Sequence, residues 1–157
     1  MSKTGDKFHN PITGEDAEVL VGSENSNNLA AISVLTVKPH GAVAGEHYHP
    51  SLEEAYTVLS GQVTFRLSGQ EHSPAIGERV VVSAGTVHDW WNAGDTEARV
   101  LVEMRPPARM EEMIGELFLM AQNGQTDAKG LPQPIERLMA FGEKYKDVMV
   151  FTGPPPA

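Results

Sequence analysis

The chain has 157 residues, of which 40% are hydrophobic and 21% are charged, which is typical of one globular domain with a buried core. Twelve basic and 21 acidic residues give a formal net charge of −9. An acidic surface repels nucleic acid and anionic membranes, so neither is predicted as a partner. No cysteine is present, which excludes disulfides and thiolate ligands. With no signal-like apolar run at the polar N-terminus, this favours a cytoplasmic protein.

The first two thirds of the chain read as a short polar segment followed by strands. Residues 1–28 are rich in turn residues and are predicted to form a polar segment that packs on the main domain. Residues 29–105 alternate short β-branched segments with glycine turns, a pattern typical of an all-β barrel or sandwich. Strands are predicted at Ala31–Lys38, Glu54–Leu59, Val63–Leu67, Arg79–Ser83, Val87–Asn92 and Ala98–Arg105.

After Pro106 and Pro107 the apolar spacing becomes helical, so residues 106–148 are predicted to form an extension of one or two helices. The apolar stripe of the first helix is Met110, Met113, Ile114, Leu117, Met120 and Ala121, and Asn123-Gly124 is a typical helix end. A second helix is predicted to begin near Pro134 and to bury Ile135, Leu138, Met139 and Gly142. Residues 149–157 are predicted to be a tail, disordered over its last five residues, where three prolines stand together.

Two short motifs concentrate the metal-ligating residue types of the chain. His47 and His49 stand two positions apart, so on a strand they project from the same face. Glu54 adds a carboxylate, and two imidazoles with one carboxylate suit non-haem iron, manganese or nickel. Glu53 is the competing ligand, but Glu54 shares its strand face with Tyr56 and Val58, so Glu54 is the predicted ligand. His88 follows the turn at Gly85 and supplies a third imidazole.

These motifs resemble the two signature motifs of the cupin superfamily, written G-x5-HxH-x3,4-E-x6-G and G-x5-P-x-G-x2-H-x3-N. The first runs here from Gly41 to Gly61 with every position met, and the second runs from Gly77 to Asn92 with Ser83 in place of the proline. That proline shapes a turn and is not a ligand. The C-terminal segment resembles that of small bacterial monocupins with helical tails.

The resemblance implies a double-stranded β-helix, the cupin jelly-roll barrel, with one divalent transition metal ion inside it. The implied metal ligands are His47, His49, Glu54 and His88. Four protein ligands on an octahedral ion leave two positions for water, substrate or dioxygen, as in a catalytic site. The ion itself, whether iron, manganese, nickel, zinc or copper, is not determined by the ligands.

Strand parity also predicts the wall of a substrate pocket beside the metal. Trp90 lies two positions after His88, Tyr56 shares a face with Glu54, and Phe65 has the inward parity of its strand. An aromatic pocket with few charges suits an apolar or aromatic small molecule. The alternative for Trp90 is that it serves only as packing.

Three functions follow as hypotheses. The first is an iron(II)-type dioxygenase in which Glu54 also acts as a catalytic base. The second is a redox-neutral isomerase, cyclase or lyase in which the metal polarises a carbonyl group. The third is a small-molecule binding protein without catalysis. A homodimer is expected, because segments Leu29–Val37 and Leu101–Met104 carry apolar residues on both faces.

Overall fold

The structure is a computed structural model that describes residues 1–153 as two antiparallel β-sheets and two helices. The elements over these residues are β1 Lys7–His9, β2 Asp16–Val21, β3 Ala31–Val37, β4 His47–Tyr48, β5 Glu53–Ser60, β6 Val63–Leu67, β7 Gln70–His72, β8 Arg79–Val82, β9 His88–Asn92, β10 Ala98–Arg105, α1 Met110–Gln122, α2 Ile135–Tyr145 and β11 Val150–Phe151.

One sheet has six strands in the order β1-β2-β3-β10-β5-β8, and the other has five in the order β11-β4-β9-β6-β7. Their inner faces share one apolar core, because alternate residues of each strand point inward. This core joins Val58 and Val100 of the first sheet to Val63 and Phe65 of the second. The jelly-roll architecture predicted from the motifs is therefore confirmed.

The N-terminal segment contributes two strands that the turn-rich composition did not predict. β2 pairs with β3 and extends the six-stranded sheet, with Ala17 opposite Leu35. Ala17 and Val19 are buried, whereas the alternate residues Asp16 and Glu18 are exposed. The exposed acidic face masked the alternation that defines this strand.

The helices cover one end of the sandwich through a second apolar cluster. In α1, Met110, Met113 and Ala121 are buried as predicted. The predicted inner face of α2 is wrong at two positions, since Ile135 is 60% exposed and Met139 is 69% exposed, whereas Leu138 and Gly142 are half-buried. The buried residues of α2 are Phe141 and Tyr145, whose rings contact each other with centroids 5.0 Å apart. The larger aromatic side chains thus determine which face of α2 packs on the core.

The segment predicted as a tail takes part in the fold. Its residues Val150 and Phe151 form β11, which pairs with β4 and places Phe151 opposite His47. Residues 154–157, which include the prolines predicted to be disordered, lie outside the described residues. No helix among the described residues is long and apolar enough to span a membrane.

Candidate metal centre and cavity

The four predicted ligands meet where the two sheets face each other. His47 lies on β4, His88 lies directly opposite it on β9, and His49 follows β4 by one residue. Glu54 comes from β5 of the other sheet. All four side chains are buried, and one potential ligand atom of each lies within 4.8 Å of the others. We call these four residues the His–Glu cluster.

The three imidazole rings are held by backbone carbonyl groups. His47 donates from Nδ1 to the carbonyl of Gly45 at 2.7 Å, and His49 donates to that of Val148 at 2.7 Å. His88 donates to the carbonyl of Thr86 at 2.9 Å. Because a carbonyl only accepts, each Nδ1 carries a proton, and it is the Nε2 side of each ring that faces the interior of the cluster.

Glu54 is the buried acid, and Glu53 is exposed, as the strand parity predicted. Oε2 of Glu54 lies 3.0 Å from Nε2 of His49 and 3.1 Å from Nε2 of His88. The same oxygen accepts a hydrogen bond from the hydroxyl of Tyr56 at 2.5 Å. One carboxylate oxygen of Glu54 therefore contacts two imidazole rings and the Tyr56 hydroxyl.

Burial and mutual contact shift the titration of the cluster. Burial, together with the neighbouring His88 and His49, lowers the pKa of His47 to about 3. Burial acts to raise the pKa of Glu54, but His49 and His88 outweigh it and hold that pKa well below the usual range. Burial likewise lowers the pKa of His49, yet the Glu54 carboxylate raises it on balance. The pKa of Tyr56 rises well above its usual value through burial and the Glu54 carboxylate, so its hydroxyl stays protonated.

The donor set fits a divalent metal ion. Nε2 of His49 is fully buried and makes no hydrogen bond within the part of the chain that the structure describes. Imidazole lone pairs that face a carboxylate repel it unless a cation or a proton lies between them. Three imidazole nitrogens with one carboxylate oxygen match the ligand preferences of several first-row transition metals. The cluster is therefore consistent with a metal ion, whose identity the donor types alone do not specify.

An apolar cavity of about 280 Å³ opens beside the cluster. Its lining includes His47 and Glu54 and two of the predicted pocket residues, Tyr56 and Trp90. The third, Phe65, is completely buried behind them and does not line the cavity. Its ring stacks on Trp90 with centroids 5.7 Å apart, so it supports the wall without reaching a ligand.

The second motif is built around a buried asparagine and a turn. The side-chain amide nitrogen of Asn92 donates to the carbonyls of Val37 and Thr96 at 3.0 and 2.8 Å. Asn92 therefore connects the end of β3 to the loop between β9 and β10. Ser83 forms its turn without the usual proline, since its carbonyl accepts from the amide of Thr86 at 3.1 Å. The substitution leaves His88 in place in the cluster.

Glu15 is a polar residue of the cavity that was not identified from the sequence. Glu15 precedes β2, is 4% exposed and lines the cavity together with Thr13 and Asn10. The available signal was parity, since Glu15, Ala17 and Val19 share one face of the β2 strand. The surrounding turn residues hid that signal.

Comparisons with known proteins agree with this architecture. A family model described as Cupin domain matches residues 33–103. Protein SchB of Streptomyces halstedii is 32% identical over 95 residues, which cover 60% of this chain and 69% of SchB. Tetracenomycin polyketide synthase protein TcmJ of Streptomyces glaucescens is 28% identical over 94 residues, which cover 60% of this chain and 56% of TcmJ.

Among solved structures, a predicted oxalate decarboxylase from Thermotoga maritima matches with a TM-score of 0.57 and 22% identity over 67% of this chain and 94% of that chain. At this identity the match concerns the fold alone. The family match spans all four members of the His–Glu cluster and the strands β4, β5 and β9 beside them. Motifs, fold and sequence relatives thus agree, and the chain belongs to the cupin superfamily.

Proposed function

We propose that this protein is a metal-dependent enzyme that converts a small, largely apolar carbonyl compound without net oxidation or reduction, as an isomerase, cyclase or lyase. The observation that carries this proposal is the position of the His–Glu cluster in the wall of an apolar cavity. A divalent ion bound there would polarise a carbonyl oxygen and stabilise the enolate charge. His47, His49, Glu54 and His88 are the residues that would hold it.

The residues of the chain itself supply positioning and proton transfer. Glu54 is the group proposed to accept and return a proton, since its carboxylate lies at the cavity wall. The Tyr56 hydroxyl donates to Oε2 of Glu54 and orients the carboxylate. The apolar walls, which include Trp90, exclude water and so strengthen every electrostatic interaction inside.

The sequence relatives support a carbonyl substrate. TcmJ is named a tetracenomycin polyketide synthase protein and is 28% identical over 94 residues. Polyketide chains carry carbonyl groups on alternate carbons, and these groups are the ones that a Lewis acid activates. We therefore propose an aromatic or polyketide-like ketone as the substrate class.

The iron-dependent dioxygenase predicted from the sequence is the second candidate. The observation that favours it is the ligand set, in which imidazoles and a carboxylate are combined as in non-haem iron sites. The two candidates differ in whether turnover needs dioxygen, and this difference can be measured directly.

The test uses protein loaded separately with Fe(II), Mn(II), Ni(II) or Zn(II) and a hydroxylated aryl methyl ketone in D2O under nitrogen. We expect deuterium to enter the carbon next to the carbonyl, because enolisation exposes that carbon to solvent deuterons. NMR measures this exchange. The double variant His47→Ala/His88→Ala should lose both the metal and the exchange. The control His72→Ala, at an exposed histidine paired with Glu78, should keep both.

Other outcomes would overturn the proposal. Oxygen uptake by the iron-loaded protein, with oxygen incorporated into the product and no exchange under nitrogen, would establish the dioxygenase. Saturable ketone binding with neither exchange nor oxygen uptake would indicate a binding protein. Unchanged metal content in the double variant would show that the His–Glu cluster is not the metal site.

A further inference from the structure

Three carboxylates are buried among the described residues, and each is compensated differently. Asp89 is paired with the guanidinium of Arg66, and Glu54 lies among the histidines of the cluster. Glu15 has no basic partner within 4.0 Å in the described chain and accepts one side-chain hydrogen bond, from the hydroxyl of Thr13 at 2.6 Å. A carboxyl group that accepts one side-chain hydrogen bond and lines a cavity has hydrogen-bonding capacity left for a ligand.

Glu15 is part of the same cavity as the His–Glu cluster, on its other side. In the six-stranded sheet, β3 and β10 separate β2, which Glu15 precedes, from β5, which carries Glu54. The walls in this region are apolar and include Ala17, Val19 and Leu35. Glu15 and the His–Glu cluster therefore lie in one cavity with largely apolar surface between them.

The other charged side chains that line the cavity do not compensate Glu15. The carboxylate of Glu111 is engaged by the backbone and hydroxyl groups of Ser2 and Ser23. Lys129 is exposed, and no basic side chain contributes to the pKa shift of Glu15. Oε2 of Glu15 accepts from Thr13, while Oε1 accepts no hydrogen bond from the described chain. That second oxygen is the free hydrogen-bonding capacity of this side of the cavity.

We propose that Glu15, oriented by Thr13, is a substrate-binding residue that hydrogen-bonds a hydroxyl group on an elongated apolar molecule whose carbonyl end lies at the His–Glu cluster. This inference deepens the proposed function and rests on it for the position of the carbonyl. The class of ligand is therefore a hydroxylated aromatic or polycyclic ketone with its two polar groups at opposite ends.

A hydroxyl group is the partner that suits this carboxyl group best. Burial raises the pKa of Glu15 to about 7, against a smaller lowering by the Thr13 hydroxyl. Near neutral pH the group is thus present in both forms, and a hydroxyl can donate to the ionised form or accept from the neutral form. A cationic ligand would instead have to lose its hydration in an apolar cavity.

The test compares 2-naphthol with naphthalene, which differ by one hydroxyl group, in isothermal titration calorimetry. We expect the protein to prefer 2-naphthol by about five- to tenfold, the typical effect of one net hydrogen bond. Glu15→Leu should abolish this preference while it keeps the affinity for naphthalene, and Glu15→Gln should retain most of it. The control Glu18→Leu changes an exposed acid on the outer face of the same strand and should leave the preference unchanged.

The outcomes separate a binding role from a purely structural one. If Glu15→Leu alters the melting temperature but not the ratio of the two affinities, Glu15 is structural and the inference is wrong. If 2-naphthylmethylamine binds more tightly than 2-naphthol, the ligand group is a cation and not a hydroxyl. Should Glu15→Leu fail to fold, contacts between 2-naphthol and the methyl groups of Ala17 and Val19, measured by NMR on the unaltered protein, decide the position, and their absence would overturn the inference.

The metal-free double variant His47→Ala/His88→Ala keeps the two proposals apart. Its preference for 2-naphthol should persist, because Glu15 lies outside the His–Glu cluster. Loss of ketone exchange with retained naphthol preference would follow from the metal site alone. Ketone exchange by the unaltered, metal-loaded protein without any naphthol preference would leave the proposed function standing and contradict the role of Glu15.

Discussion

The buried carboxyl groups of this protein differ in the partners that compensate their charge. The guanidinium of Arg66 neutralises Asp89 in a side-chain ion pair, and removal of such a partner leaves an uncompensated buried charge. Glu15 has a hydroxyl partner alone, so its ionised form is costly inside the protein. Its protonation should therefore be visible in the stability of the fold.

We expect Glu15→Gln to stabilise the protein at alkaline pH. The folded-state pKa of Glu15, about 7, lies above the ordinary value of 4.5, so the folded chain binds this proton more tightly than the unfolded chain. The resulting stabilisation is complete below pH 4.5 and is lost as pH rises through 7. Relative to the unaltered protein, the variant should gain up to about 3 kcal/mol in the free energy of unfolding between about pH 5 and about pH 8.

Urea unfolding of both proteins at each pH measures this difference. The control Glu18→Gln, at an exposed position, should show a difference that does not vary with pH. A pH-independent difference for Glu15→Gln as well would show that Glu15 titrates normally in the folded protein.

At single positions, the alternation of strand faces predicted which side chains point into the protein. Glu54 was distinguished from Glu53 because a buried strand face alternates with an exposed one, and the structure agrees. Glu15 was missed because its strand begins inside a turn-rich segment whose exposed residues are acidic. Phe65 has the predicted inward parity, but parity does not say whether an inward ring touches a cavity or another ring.

Among the elements, the C-terminal segment directly contacts the His–Glu cluster. The carbonyl of Val148, just after α2, accepts the Nδ1 proton of His49, and β11 pairs with β4. The helical extension therefore orients one imidazole of the His–Glu cluster. Groups that orient a metal ligand in this way typically change metal affinity when they are lost.

Truncation after Asp147, which removes residues 148–157, should weaken metal binding by about 10- to 100-fold. The reason is the loss of the carbonyl that fixes His49 and of the strand that supports His47. Competition with a chelator, using Zn(II) or Ni(II), measures the affinity.

A shorter truncation of residues 154–157 serves as the matched control and should bind metal normally. Circular dichroism establishes that both proteins remain folded, since Val148 also packs in the second apolar cluster. Equal affinities for two folded truncations would mean that the barrel alone orients His49.

Several element boundaries agree with those predicted from the local sequence pattern. β6 and β10 have the predicted bounds, and the first helix ends at the predicted Asn123-Gly124. The predicted face of α2 was wrong at Ile135 and Met139 because apolar periodicity does not take side-chain size into account. Tyr145 is buried and its hydroxyl donates to Glu116 on α1, a tertiary contact that no local pattern contains.

At the scale of the whole molecule, the expected homodimer stays a prediction. The outer face of the six-stranded sheet carries Leu59 and Val81, which are 38% and 43% exposed, on the neighbouring strands β5 and β8. Covering such a face in a symmetric pair would remove apolar area from water. Sedimentation equilibrium should give twice the chain mass of 17.0 kDa.

The double variant Leu59→Lys/Val81→Lys should shift the protein toward the monomer, since like charges would then face each other across the symmetry axis. Ile76→Lys, at an exposed turn position, is the control and should stay dimeric. A monomeric unaltered protein at tens of micromolar would contradict the prediction.

The cavity is assembled from the cupin domain and from the segments on either side of it. All four metal-ligand candidates lie within the family match at residues 33–103. Glu15 and the α1 residue Met113, which line the same cavity, lie outside it. Replacement of the flanking segments would therefore change the wall of the cavity while the His–Glu cluster stays intact, so a shared cupin domain says more about the cluster than about the molecule that the cavity accepts.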